Sequence, residues 1–140
     1  MTAVADTNVV AALMLRRAEN PDVTLFFARD PDWRVPSLWR SEFRHVLLKH
    51  VRSNLLSSAQ ALAVWTRALT RLESKEHAID GHLVLDLAIR SGCSSYDAEF
   101  VVLAQQLQCP LLTFARRLLQ LFPEVAVTVV RGMGHGAWGG

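Results

Sequence analysis

Asp6, Glu42 and Asp97 lie tens of residues apart in this 140-residue chain, yet each stands where the local pattern buries a side chain. In Ser37-Leu-Trp-Arg-Ser-Glu42-Phe-Arg-His-Val-Leu47, three- and four-residue spacings put Leu38, Trp39, Glu42, Val46 and Leu47 on one helical face, so an acid interrupts an apolar stripe. Asp97 opens Ala98-Glu-Phe-Val-Val-Leu-Ala104, where Phe100, Val101 and Ala104 share its face of a helix that is apolar almost all round. Asp6 ends the run Ala3-Val-Ala5, which places it at the carboxyl end of a first strand, the edge where open α/β sheets bind ligands. A carboxylate removed from water must be paired, protonated or bound to a cation. If the three converge, their repulsion raises their pKa values unless a divalent cation neutralises them, and all-oxygen ligands favour Mg²⁺ or Mn²⁺ over zinc.

Each acid also has a purely structural reading. Asp6 and Asp97 fit helix N-cap or first-turn positions, and Glu42 could pair with Arg40 or His45. Such readings suffice for any one of them; three together point to a site.

The elements that must position these residues alternate. Thr2–Asp6 reads as a strand, residues 8–17 as a helix, and Asn20-Pro21 as the opening of a second helix that ends near Asp30-Pro31. Trp33–Val35 suits a short strand, after which Ser37 is expected to cap the Glu42 helix. Ser57 and Gln60 have capping-box spacing, and Leu62, Trp65, Leu69 and Leu72 form the expected packing stripe of the helix they start. Asp80 caps a further helix ended by Gly92, and Ser94 lies three residues before Asp97. Leu111–Thr113 and Ala126–Val130 are the remaining strand candidates, with a short helix over Arg116–Leu121 between them. Alternation of this kind predicts a single-domain α/β/α sandwich with a mainly parallel central sheet flanked by helices. The domain is expected over residues 1–131, and residues 132–140, which hold five of the seven glycines together with Trp138, form a Gly-rich tail.

Composition narrows the function. With 51% hydrophobic and 20% charged residues the chain can bury one core and has no room for a second domain. No stretch approaches a membrane span and Met1-Thr2 lacks a basic leader, so a cytoplasmic protein with no membrane partner is expected. Cys93 and Cys109 have no metal-type spacing and read as reduced, packed thiols. A net charge of +2 permits a nucleic-acid partner without demanding one. Arg40, Arg44, Lys49 and Arg52, beside Glu42, and Arg116 with Arg117 are available for phosphate contacts or for a solvated face. Phosphate-binding glycine motifs are absent, which disfavours nucleotide-dependent classes.

Four blocks, Val4-Ala-Asp6-Thr-Asn8, Pro36-Ser-Leu-Trp-Arg-Ser-Glu42, Ser95-Tyr-Asp97-Ala-Glu-Phe-Val-Val-Leu-Ala104 and Pro110-Leu-Leu-Thr113, resemble the PIN domain family in order and spacing, over nearly the whole chain. Within it the chain is most similar to the small VapC-like toxins of prokaryotic toxin–antitoxin pairs. The resemblance implies a PIN-like fold and a metal-dependent ribonuclease in which Asp6, Glu42 and Asp97 hold Mg²⁺ or Mn²⁺ and water attacks the phosphodiester of an RNA substrate. It implies that Asn8 and Thr113 orient ligands or water, that a VapB-like antitoxin covers the acidic groove, and that the protein is a homodimer.

One departure stands out: family members usually carry a fourth acid two residues after the threonine, and Ala115 occupies that position here. Glu99, two residues from Asp97, points away from it on a helix and serves better as a polar partner or interface residue than as a replacement. Arg116 remains a substrate-contact candidate. The competing reading is therefore a PIN-like module with weakened or lost catalysis that binds RNA or a protein partner. A phospho-receiver domain is disfavoured because its adjacent acid pair and mid-chain phosphoacceptor pattern are missing.

Overall fold

A computed structural model describes residues 1–15 and 22–129. The Asn20-Pro21 helix opening, the end of the 8–17 helix, Val130 and the Gly132–Gly140 tail with Trp138 lie outside the described residues.

In chain order the elements are β1 (Ala3–Ala5), α1 (Thr7–Leu15), α2 (Asp22–Arg29), β2 (Trp33–Pro36), α3 (Trp39–Arg52), α4 (Ser58–Leu72), β3 (Glu76–His77), α5 (Gly81–Ser91), α6 (Ser95–Leu107), β4 (Leu111–Leu112), α7 (Arg116–Leu121) and β5 (Ala126–Val127), with a 3-10 turn at Glu73–Lys75. The strands form one sheet of order β3-β2-β1-β4-β5, and every pairing is parallel. Parallel strands need crossovers, and the intervening helices supply them.

Alternation along β1 divides the core in two. Ala3 and Ala5 face a cluster with Val9, Trp33, Trp39, Phe43 and Leu72, built by α1 to α4. Val4 faces the other way, into a cluster with Leu87, Phe100, Leu103 and Leu118, built by α5 to α7. Leu112 and Leu111 on β4 divide in the same manner. A strand buried on both faces must be apolar at every position, which is why β1 reads as a continuous run rather than as alternation. The same logic makes α6 apolar all round: Phe100, Val101, Val102, Leu103 and Ala104 are all buried.

The local signals place most helix ends. Ser57 and Gln60 form a reciprocal capping box. Asp80 accepts from the His82 and Leu83 amides, Gly92 ends α5 at φ +79°, and the Ser94 hydroxyl accepts from the Asp97 amide at 3.0 Å. Ser37 is a correction: its side chain caps nothing. The chain leaves β2 through a turn in which the Ser37 carbonyl accepts from Arg40 N at 3.1 Å, and Leu38, with helical backbone angles, occupies the cap position. A second correction concerns α4, whose buried face is Val64, Ala68 and Leu72. Trp65 and Leu69 flank that face, while Leu62 is 68% exposed. Small Ala68, fully buried, lies at the centre of that face. β3 is an unanticipated strand of two polar residues at the sheet edge, where a short charged strand resists pairing with another chain.

Candidate active site

At the carboxyl edge of the sheet, three chain segments meet around an open cavity of about 690 Å³. Asp6 after β1 and Thr7 and Asn8 at the start of α1 form one segment; α3 supplies Glu42 with Ser41, His45 and Val46, preceded by Leu38 at its cap; the first turn of α6 supplies Tyr96 and Asp97, and Ala115 completes the rim. Each acid stands at the start of a helix: Asp6 immediately before α1, Glu42 in the first turn of α3, Asp97 in the first turn of α6. Helix N-termini favour negative charge, which offsets part of the cost of gathering these carboxylates.

Their hydrogen bonds come from neutral donors. Asp6 is 6% exposed; Thr113, fully buried, donates its hydroxyl to Oδ2 at 2.7 Å, and the Thr7 amide donates to Oδ1 at 2.8 Å. The Thr7 hydroxyl donates to Glu42 Oε1 at 2.6 Å, so one residue braces two acids. The alternative pairing of Glu42 with Arg40 does not occur: Arg40 makes a two-pronged bond to Glu76 at 2.6 and 2.7 Å. Asp97 is half-buried, and its carboxylate accepts no hydrogen bond among the described residues.

Electrostatics follow from that geometry. Burial pushes the Asp6 carboxyl from its ordinary 3.8 up to about 6; the hydrogen bonds from Thr113 and Thr7 oppose the rise, and the charges of Asp97 and Glu42 add to it. Glu42 is also raised, by burial and then by Asp97, against the Thr7 hydrogen bond. The three acids therefore sense one another across the cavity. Hard carboxylate oxygens suit a divalent cation such as Mg²⁺ or Mn²⁺, although among the described residues no three acidic, His or Cys side chains are already drawn together tightly enough to enclose one.

The other sequence candidates fall at varied places. Thr113 orients Asp6 and accepts from Ala115 N at 2.9 Å. Asn8 receives the Phe114 amide on its side-chain oxygen at 3.2 Å, tying the segment after β4 to the start of α1. Glu99 is half-buried and raised by burial and then by Glu42, so it lies within the field of the acids although it does not line the cavity. Arg116 is exposed in the first turn of α7. Of the basic residues considered for phosphate, Arg40 is committed to Glu76 and Arg117 to the Gly92 carbonyl at 2.9 Å, while Arg44 lies 5.0 Å over the Trp65 ring. Cys93 and Cys109 are free thiols. Thr7 and Tyr96 were legible only as neighbours of the acids; their adjacency to Asp6 and Asp97 was the available signal.

The sequence pattern of the PIN domain family matches residues 3–125. The chain is a member of the PIN domain family. Among PIN-related proteins, Ribonuclease VapC3 of Pyrobaculum aerophilum is 27% identical over 132 residues, spanning 89% of this chain and 98% of that one. The structure of PAE2754 from Pyrobaculum aerophilum superposes with a TM-score of 0.74 at 20% identity, covering 92% of this chain and 84% of that one. A toxin–antitoxin complex from Klebsiella pneumoniae gives a TM-score of 0.64 at 18% identity, with coverage of 91% and 98%. The PIN fold thus accounts for the all-parallel sheet. Among the described residues no helix is long and apolar enough to cross a membrane.

Proposed function

We propose that this PIN domain is a divalent-metal-dependent endoribonuclease of the VapC kind, working in the cytoplasm. The observation that carries the reading is the meeting of Asp6, Glu42 and Asp97, from three helix starts, on one cavity. The likeness to a protein called Ribonuclease VapC3 supports RNA as the substrate.

In this reading Asp6, Asp97 and Glu42 hold Mg²⁺ or Mn²⁺. When bound, the cation supplies acidity to water and offsets the charge that builds on the phosphate. The protein's part is orientation. Thr113 and the Thr7 amide fix both oxygens of Asp6, the Thr7 hydroxyl fixes one oxygen of Glu42, and burial shields Asp6 from bulk water. Because Asp6 holds a proton up to about pH 6, cation and proton compete for the same oxygens.

A VapB-like antitoxin is the expected partner, in keeping with a fold shared with the toxin–antitoxin complex from Klebsiella pneumoniae. A homodimer is the assembly this kinship implies, and Leu85 and Ile89, one turn apart on α5 and 60% and 73% exposed, offer an apolar stripe for it. Ala115 favours a second reading, a module with weakened or lost catalysis, since it lines the cavity without contributing an oxygen.

The deciding experiment is cleavage of a mixed RNA pool with Mn²⁺ by the original protein, Asp6→Asn and Ala115→Asp. Cleavage by the original that Asp6→Asn removes supports a nuclease working with three acids. Cleavage only by Ala115→Asp identifies a disarmed scaffold, and silence in all three transfers the reading to a binding module.

A further inference from the structure

We infer that Tyr96 is the residue on which an unpaired nucleobase of the RNA stacks, seating one nucleotide beside the acids; the inference rests on the ribonuclease reading above. The cavity is larger than a metal site requires. A cation with six waters occupies roughly 200 Å³ at about 30 Å³ per water, whereas the cavity holds about 690 Å³. That volume lies within the range of roughly 300–1,000 Å³ typical of sites for small organic groups. Its walls are also of two kinds. Asp6, Glu42 and Asp97 suit a cation, whereas Leu38 and Val46 offer nothing to a cation or a phosphate, and Tyr96 adds the face of an aromatic ring. A lining that holds an exposed aromatic ring one residue from a carboxylate fits a ligand that is a flat ring at one end and a phosphodiester at the other.

Tyr96 has the properties of a platform rather than of a packed side chain. It is 60% exposed, and among the described residues neither its ring nor its hydroxyl has a partner. Its backbone, by contrast, is held at the Ser94-capped start of α6, one residue before Asp97. A rigidly mounted ring with only two side-chain torsions loses little freedom when a base lies against it. Stacking is open to any unpaired base and closed to bases inside a duplex, so the site should select single-stranded segments with little regard for base identity.

Tyr96 is the sole tyrosine of the chain, which makes the test specific. Full-length Asp6→Asn protein labelled with 3-fluorotyrosine gives one ¹⁹F resonance, to be titrated with a short single-stranded RNA, with the same backbone made abasic, and with a duplex. The resonance should move with the single strand and stay with the abasic strand and the duplex. In parallel, Tyr96→Ala should raise KM for single-stranded RNA about ten-fold or more, with the melting temperature and its rise in Mn²⁺ intact, and Tyr96→Phe should recover most of the loss. Equal movement with abasic and base-bearing RNA, or an unchanged KM in Tyr96→Ala while the original protein cleaves, overturns the stacking role and leaves the nuclease reading standing. Absence of both RNA binding and cleavage, in the original and in Ala115→Asp alike, overturns both.

Discussion

Asp6 and Asp32 sit at opposite ends of two neighbouring parallel strands, Asp6 after β1 and Asp32 before β2, and their surroundings have opposite character. The Asp32 carboxylate accepts from the Thr2 hydroxyl at 2.7 Å, from Arg34 at 2.8 Å and from Lys75 at 3.2 Å. Thr2 first, then Arg34 and Lys75, hold it well below the usual carboxylate range against a modest cost of burial. Asp6 is more deeply buried, has only neutral donors, and faces two further acids. Asp32 is neutralised from within the fold, and it clamps the amino edge of the sheet. Asp6 has no cationic partner among the described residues, and in the proposed reading a bound cation neutralises it. An acid with cationic partners reports on architecture, and a buried acid without them reports on a ligand.

The contrast is broken most directly by removing each charge. Asp6→Asn should lower RNA cleavage by at least ~100-fold at saturating Mn²⁺, read from initial rates, and should also abolish the Mn²⁺-dependent rise in melting temperature.

Stability against pH is the next largest effect. Between about pH 4 and pH 6 the folded protein keeps a proton on Asp6 that the unfolded chain has released, so stability falls as pH rises through that window. At about 1.4 kcal/mol per pH unit the loss is on the order of 3 kcal/mol. Asp32 runs the other way: its contribution is present above its ordinary pKa and is lost as pH falls through its depressed one. Urea denaturation without divalent cations should therefore find Asp6→Asn close to the original protein near pH 4.5 and more stable than it near pH 7.5, with Mn²⁺ closing the gap. A gap that is constant across pH would mean that Asp6 is not held protonated by the fold.

Ala115→Asp sharpens the same point from the cavity side. Ala115 is the cap position of α7 and makes no side-chain cap bond, so an aspartate there should stabilise the helix start by about 1 kcal/mol. It also adds a fourth charge to the cavity rim. Thermal melts should show a small net change without cation and a clear gain in Mn²⁺ over that of the original. The smallest effect is expected at the other edge: Asp32→Asn should cost about 1 kcal/mol in urea denaturation and leave cleavage unchanged.

What the sequence by itself determined lies within one turn or one strand of the residues concerned. The run Ala3-Val-Ala5 reads as part of a strand that ends at Asp6, Ser57 with Gln60 as a capping box, Gly92 as a stop and Ser94 as a cap, because each signal lies among near neighbours. The three acids were legible for the same reason, since burial of each follows from the periodicity around it. Tertiary structure decided what depends on distant partners. Thr7 bracing Glu42, Thr113 holding Asp6 across 107 positions, and Glu76 claiming Arg40 all depend on crossovers that no local pattern encodes. Two further features were settled by packing. The turn after β2 displaced Ser37 from its cap, and the buried face of α4 fell on Val64, Ala68 and Leu72 and left Leu62 outside. Burial is written in periodicity, whereas the partner of a buried group is chosen only when separate elements meet, and at Asp6 that choice supplied neutral donors and no cation.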